Sequence, residues 1–373
     1  MSGIYIHIPF CRKACSYCDF HFSTSLNEKT NVLNAILKEI TLRKKYLSNN
    51  QLDSIYFGGG TPSILSEKDL GLIINHLSKY FFWQDNIEIT LEANPDDISP
   101  LKLKQWTSLG INRLSIGVQS FNDEELKWMN RAHNSSESIS SVKIAQDLGF
   151  DNISIDLIYG SKFQTIKSWD LTLQQAISLN TQHISSYNLT IEKSTALGLK
   201  NNRGLEPSVC DDLSSQQFLL LSEKLGQADF IQYEISNFGK KDFFAVHNTN
   251  YWLQKNYMGI GPSAHSFNGF SRQWNLKNNL LYVKALKNNT DFFVLENLSL
   301  KNRYNEYVLT RLRTIWGCNE IEINQLFGLD ILAHFKKVAT EKKEFFEIKK
   351  NIYTLNKLGQ LQADGIASDL FLL

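Results

Sequence analysis

The strongest constraint on the fold is an alternation. From Ile4 to about Leu189, short runs rich in β-branched and aromatic residues take turns with amphipathic stretches of helical period. The runs are Ile4–Ile8, Ser54–Phe57, Ile87–Leu91, Arg113–Val118, Asn152–Leu157 and His183–Asn188. Between them, helices are expected over Glu28–Tyr46, Glu67–Phe82, Pro100–Leu109, Ser136–Leu148 and Thr165–Leu179, with Gly110 and Gly149 as stops. Repeats of this kind build a parallel sheet covered by helices. At or just past the carboxyl end of successive runs lie His7, the Gly58–Gly59–Gly60–Thr61 turn, Glu92, Gln119, Asp156 and Asn188. Parallel α/β folds assemble their sites on that side, whereas random placement would scatter polar residues over both ends.

In the run IEITLE, positions 87, 89 and 91 should face helices, which turns Glu88, Thr90 and Glu92 inward. An inward carboxylate must be paired or hydrogen-bonded, because an isolated ion in an apolar interior is costly. Asp156, inside ISIDLIYG, poses the same question. Each can be read as a buried structural carboxylate or as a ligand contact.

Directly behind the first run, Cys11, Cys15 and Cys18 form a C-x3-C-x2-C array. Soft thiolates select iron–sulfur clusters, zinc or copper(I), and a four-iron cluster ordinarily takes one cysteine per iron. Three cysteines leave one iron open, the arrangement that radical chemistry with S-adenosylmethionine (SAM) needs. A Cys3His zinc site completed by His7 or His21 is also chemically sensible. Cys210 and Cys318 are isolated and read as buried small hydrophobes.

With YIHIPFC in front of that array, the sequence resembles the radical-SAM superfamily, in its oxygen-independent coproporphyrinogen dehydrogenase branch and more closely its HemW-type haem chaperones. The likeness continues through FGGGTPS, LEANPDD, RLSIGVQSF, MNRAH, IDLIYG, YEISNF, HNTNYW and GIGPSAHSF, in that order. The resemblance implies a partial (β/α)6 barrel with a C-terminal α+β extension and a small winged-helix-like domain. It assigns Cys11, Cys15 and Cys18 to a 4Fe-4S cluster, and the Gly59–Gly60–Thr61 turn to the SAM amino group. It also makes Glu92, Gln119, Arg131 and Asp156 SAM contacts, with Tyr5 and Tyr17 lining the pocket. HNTNYW is tied to haem, with His247 as the candidate iron ligand, His7 and His265 as competitors for that place, and Tyr251 and Trp252 as flat apolar surfaces. Dehydrogenases of this branch carry a further cysteine two residues past the third ligand and an extension before the first strand. Here the position is Phe20 and the strand starts at Ile4, so a haem chaperone is the expected function and decarboxylation of coproporphyrinogen III the rival. The implied partners are haem and a haem-accepting protein, a membrane haem enzyme being one candidate.

Past Leu189 the alternation fails, and three units are expected: a barrel over residues 1–200, an α+β extension over 201–300 and a winged-helix-like tail over 301–373. The 39 basic and 38 acidic residues leave a net charge of +1, which gives nucleic acid little to hold and makes the basic run Arg43–Lys45 read as a solvated helix face. Five cysteines, three of them clustered, do not suit a disulfide framework. No basic leader opens the chain and no apolar run reaches the ~18 residues of a membrane span, so a cytoplasmic protein is expected.

Overall fold

The structure, a computed structural model, describes residues 2–373. Its first half is the expected repeat: β1 (Ser2–Ile8), α1 (Lys29–Arg43), β2 (Leu52–Gly59), α2 (Glu67–Leu77), β3 (Glu88–Ala93), α3 (Pro100–Ser108) and β4 (Arg113–Gln119). It continues through α4 (Asp123–Trp128), α5 (Ser135–Asp147), β5 (Ile153–Tyr159), α6 (Ile166–Ser178) and β6 (His183–Asn188). These six strands pair in parallel and in sequence order. Alternate residues pack outward against the helices: Ile4, Ile6 and Ile8 on β1, Ile89 and Leu91 on β3, Ile153, Ile155 and Leu157 on β5. Each such side chain contributes about 1.5–3 kcal/mol by leaving water, and a one-residue slip would turn the whole set inward. Helix α4 was not anticipated, because six residues are too few to display a period.

The second half extends the same sheet at both edges. After α7 (Ala196–Asn202) and α8 (Asp211–Gln227) come β7 (Ile231–Glu234), β8 (Asn237–Gly239), α9 (Val246–Trp252) and β9 (Tyr257–Ile260). Then follow β10 (His265–Phe267), β11 (Ser271–Asn275), α10 (Asn279–Asn288) and β12 (Phe293–Asn297). The order is β12-β11-β10-β9-β1-β2-β3-β4-β5-β6-β8-β7, twelve strands that remain open at both ends. Strand hydrogen bonding therefore runs straight across residue 200. The tail holds α11 (Leu300–Leu312), β13 (Cys318–Asn319), α12 (Glu320–Phe327), α13 (Leu329–Glu341), β14 (Phe346–Lys349) and β15 (Ile352–Leu355). It has its own core around Tyr304, Tyr307, Phe335 and Tyr353, and its own sheet, β13-β15-β14.

Two readings are corrected. Arg43 is not on a solvated face: it is 7% exposed, bonded to Glu39 at 2.9 Å, to the Gly259 carbonyl at 2.7 Å and to Ser266 at 2.9 Å. Its partners on β9 and β10 are more than two hundred residues away in sequence, so the local pattern could not announce them. Cys210 is exposed rather than buried, at the head of α8, while Cys318 is buried as expected. Among the described residues, no helix is long and apolar enough to cross a membrane.

Candidate functional site

The inward faces of the strands are polar from end to end. At the amino end stand Ser54, Glu88, Arg113 and His183, and one step on come Tyr5, Tyr56, Thr90, Ser115, Asp156 and Ser185. The step nearest the carboxyl end carries His7, Gly58, Glu92 and Gly117. Burial shows which of these border open space. Along β1 only Tyr5 is partly accessible, along β3 only Glu92, along β4 only Gln119 and along β5 only Asp156. Every other position on those four strands is buried, so the lumen opens onto the side chains that the sequence had singled out.

The cysteine loop closes the carboxyl end. The Gly58–Thr61 turn receives it: the Gly60 amide donates to the Ile8 carbonyl at 2.9 Å and the Thr61 amide to the Phe10 carbonyl at 2.7 Å. Hydrogen-bond donors face the sulfurs, Thr61 Oγ1 on Cys11 Sγ at 3.4 Å and Arg131 Nη1 on Cys15 Sγ at 3.3 Å. Burial pushes the Cys11 and Cys18 thiols up to about 11, so on their own they would stay protonated. A metal's positive charge is what turns such thiols into ligands. Among the described residues, no three His, Cys, Asp or Glu side chains converge on one point as a single ion would require. A donor set of three thiolates suits a cube that presents a separate iron to each and leaves one iron open. His7 is also spent: Nε2 donates to the His21 carbonyl at 2.8 Å and Nδ1 faces the Tyr5 hydroxyl at 3.3 Å. His21 Nε2 is occupied by Asn279 Oδ1 at 2.8 Å.

Beneath the loop, polar groups converge. Glu92 accepts from the Tyr56 hydroxyl at 2.9 Å and the Gly59 amide at 3.1 Å. Its pKa is pushed up to about 7, first by burial and then by the nearby Asp156 carboxylate. Asp156 accepts from Ser115 at 3.2 Å and is pushed up to about 6, again by burial first. A carboxyl group whose ionisation burial and a neighbouring carboxylate discourage would welcome a cationic guest. Strand β4 shifts register against β5 between Ile116 and Gln119, and Gln119 takes a φ of 67°. That bulge lays the Gln119 amide over Gly117 beside Arg131 and Asn94, where a Cβ on Gly117 would meet Gln119 Nε2 at 2.8 Å and Arg131 Nη2 at 3.0 Å. Arg131 donates from Nη2 to Asn94 Oδ1 at 2.6 Å and to the Gly117 carbonyl at 2.7 Å, while its buried Nε has no partner among the described residues. Tyr17 packs on Met129, Ile158, Leu189 and Leu197 at the same mouth. Asn94 and Tyr56 were missed by the sequence reading, although Tyr56 lies on the inward side of its own strand.

His247 lies elsewhere, at the amino end of the barrel. Glu88 accepts the amides of Val246 and His247 at 2.9 and 3.0 Å, anchoring the first turn of α9 by its exposed N–H groups. The imidazole Nδ1 lies 2.9 Å from Ser54 Oγ, and the ring stands 5.1 Å from that of Tyr56. Burial lowers its pKa to about 4, so it is a neutral ring. Cysteine loop and imidazole are thus brought to opposite ends of one lumen, with Tyr5 and Tyr56 between them.

Comparison with known proteins places this architecture. The Radical SAM superfamily model matches residues 5–176. The chain is 30% identical over 347 residues to the heme chaperone HemW of Bacillus subtilis, covering 92% of this chain and 92% of that protein. The chain belongs to the HemW family of radical-SAM proteins. A second HemW, from Haemophilus influenzae, is 36% identical over 269 residues, 70% of this chain and 69% of that protein. Among solved structures, the coproporphyrinogen III oxidase HemN of Escherichia coli superposes with a TM-score of 0.86, covering 99% of this chain and 90% of that one at 23% identity. At that identity the likeness speaks for the fold, and it extends beyond the barrel into the tail.

Proposed function

We propose that this chain is a radical-SAM haem chaperone, which binds a 4Fe-4S cluster, SAM and haem and passes haem to an acceptor protein. The supporting observation is likeness to a heme chaperone over 92% of both chains, joined to Phe20 where the dehydrogenases of the branch carry a cysteine. Cys11, Cys15 and Cys18 would hold the cluster. A cluster with one open iron supplies a chelation point for the methionyl end of SAM and a source of one electron. The residues do the rest. The glycine turn with Thr61 offers backbone groups to the ligand's amine, and Arg131 with its unpartnered Nε suits the carboxylate. Glu92 and Asp156 take the hydroxyls and the positive charge from below, while Gln119, Tyr5 and Tyr17 bound the pocket. For haem, Ser54 occupies His247 Nδ1 and leaves Nε2 for iron. Tyr251, 48% exposed, follows one turn later on the same face of α9. A reducing, cytoplasmic setting suits free cysteines in such a cluster.

Anaerobic reconstitution followed by haem titration tests this reading. The wild type is expected to bind one haem per chain, and His247→Ala to change both spectrum and affinity. Conversion of coproporphyrinogen III to protoporphyrinogen by the reduced, SAM-loaded protein would overturn the chaperone reading in favour of the dehydrogenase.

A pH dependence follows from Glu92. Below its pKa of about 7 the carboxyl is protonated, and a cationic guest favours the ionised form, so binding expels a proton. SAM affinity of the reconstituted protein should therefore rise about tenfold between about pH 6 and pH 8. Glu92→Gln should flatten the profile. A wild type as flat as the variant would move the cation's partner elsewhere.

A further inference from the structure

Helix α4 grips the cysteine loop with its last turn. The Ser16 amide donates to the Met129 carbonyl at 3.0 Å, Ser16 Oγ to the Trp128 carbonyl at 3.1 Å, Asn130 Nδ2 to the Ala14 carbonyl at 2.7 Å, and Arg131 Nη1 reaches Cys15 Sγ at 3.3 Å. Asn130, at a φ of 59°, ends the helix and turns Arg131 back toward the strands. A helix of one and a half turns has little stability of its own, so its position must be imposed from outside.

Glu125 is the residue that imposes it. Its side chain, 1% exposed, accepts from Ser120 Oγ at 2.5 Å, from Ser161 Oγ and from Gln164 Nε2 at 3.0 Å. Ser120 follows the β4 bulge, and Ser161 and Gln164 belong to the loop after β5. Gln164 is held in turn by Gln217 at 3.0 Å and by the Gly160 amide at 3.0 Å. Among the described residues, no cation pairs with this carboxylate. A buried carboxyl group held by neutral donors alone is expensive to ionise, and a leucine would pack the site with less penalty. What it secures is geometry, since three directional bonds tie α4 to the ends of two strands at once.

We infer that Glu125 is a positioning residue for the cysteine loop, fixing α4 against the ends of β4 and β5 and thereby setting the seat of Cys15 and Arg131. The inference rests on the reading that the loop holds the cluster to which SAM binds, and its test has one arm independent of that reading. In the cofactor-free chain, Glu125→Ala is expected to speed hydrogen exchange at the Ser16 amide about tenfold, with core amides of β2 unchanged. In the reconstituted protein the same variant should lose about tenfold in SAM affinity and blunt the SAM-induced change in the reduced cluster's electron paramagnetic resonance spectrum. Glu125→Gln keeps the shape and one acceptor, and should restore most of both. Wild-type protection of Ser16 or wild-type SAM affinity in Glu125→Ala overturns the inference. Should that variant not fold, Ser161→Ala decides on the same two readouts, with about a threefold effect expected and none being fatal. A wild type that takes up no cluster would sink the functional reading, while the exchange arm would still judge Glu125.

Discussion

Gly60→Ala should leave a folded chain that takes up less than about one-tenth of the wild-type iron and sulfide on anaerobic reconstitution. A Cβ at this position would stand 2.7 Å from the carbonyl oxygens of Ile8 and Phe10 and 2.8 Å from the Phe10 amide nitrogen. All three are backbone atoms, so no side chain can swing aside. The atoms belong to the segment that leads into Cys11, and the Gly60 amide itself donates to Ile8. Relief of the clash must therefore push the cysteine loop off the barrel mouth. Gly149→Ala supplies the control: its φ of 91° strains any other residue, yet nothing among the described residues lies within 4 Å of the added methyl. That variant loses about 1–2 kcal/mol of stability from backbone strain and should keep its cluster. If Gly60→Ala reconstitutes as fully as Gly149→Ala, the two loops are not coupled as described.

The contrast between these glycines also marks what a sequence can disclose. The cysteine trio, the strand ends and the inward face of IEITLE were legible because each depends on spacing within a few residues. Glu92 and Asp156 could be named for the same reason, since a carboxylate at an inward position is conspicuous without any knowledge of its partners. Arg43 was misread because its acceptors Gly259 and Ser266 lie on strands of the second half. The seat of His247 was illegible for the same cause, Ser54 being 193 residues away. Helix α4 escaped notice through brevity, and with it the clamp on Ser16. What remained hidden is the set of long-range hydrogen bonds that aim residues already suspected from their type.

Arg131 is where the local and the long-range meet, and Arg131→Met should cost SAM affinity at least about 30-fold, the effect of truncating one partner of a buried, hydrogen-bonded charge network by some 2 kcal/mol or more. The substitution strands the Asn94 amide oxygen and the Gly117 carbonyl, which now accept from Nη2 at 2.6 and 2.7 Å. It also removes the cation from Cys15 Sγ, 3.3 Å from Nη1. The second loss predicts a sign of its own: with less positive charge beside a thiolate ligand, the cluster becomes harder to reduce and its midpoint potential falls. Arg131→Lys separates the two contributions. A lysine returns a point charge near the sulfur but lacks the planar fork that spans Asn94, Gly117 and Cys15 together. It should recover much of the potential and little of the SAM affinity, read by redox titration and by SAM titration of the same preparation. Recovery of both by lysine would mean that charge alone is needed there, and that the fork geometry at the end of α4 plays no part in seating the ligand.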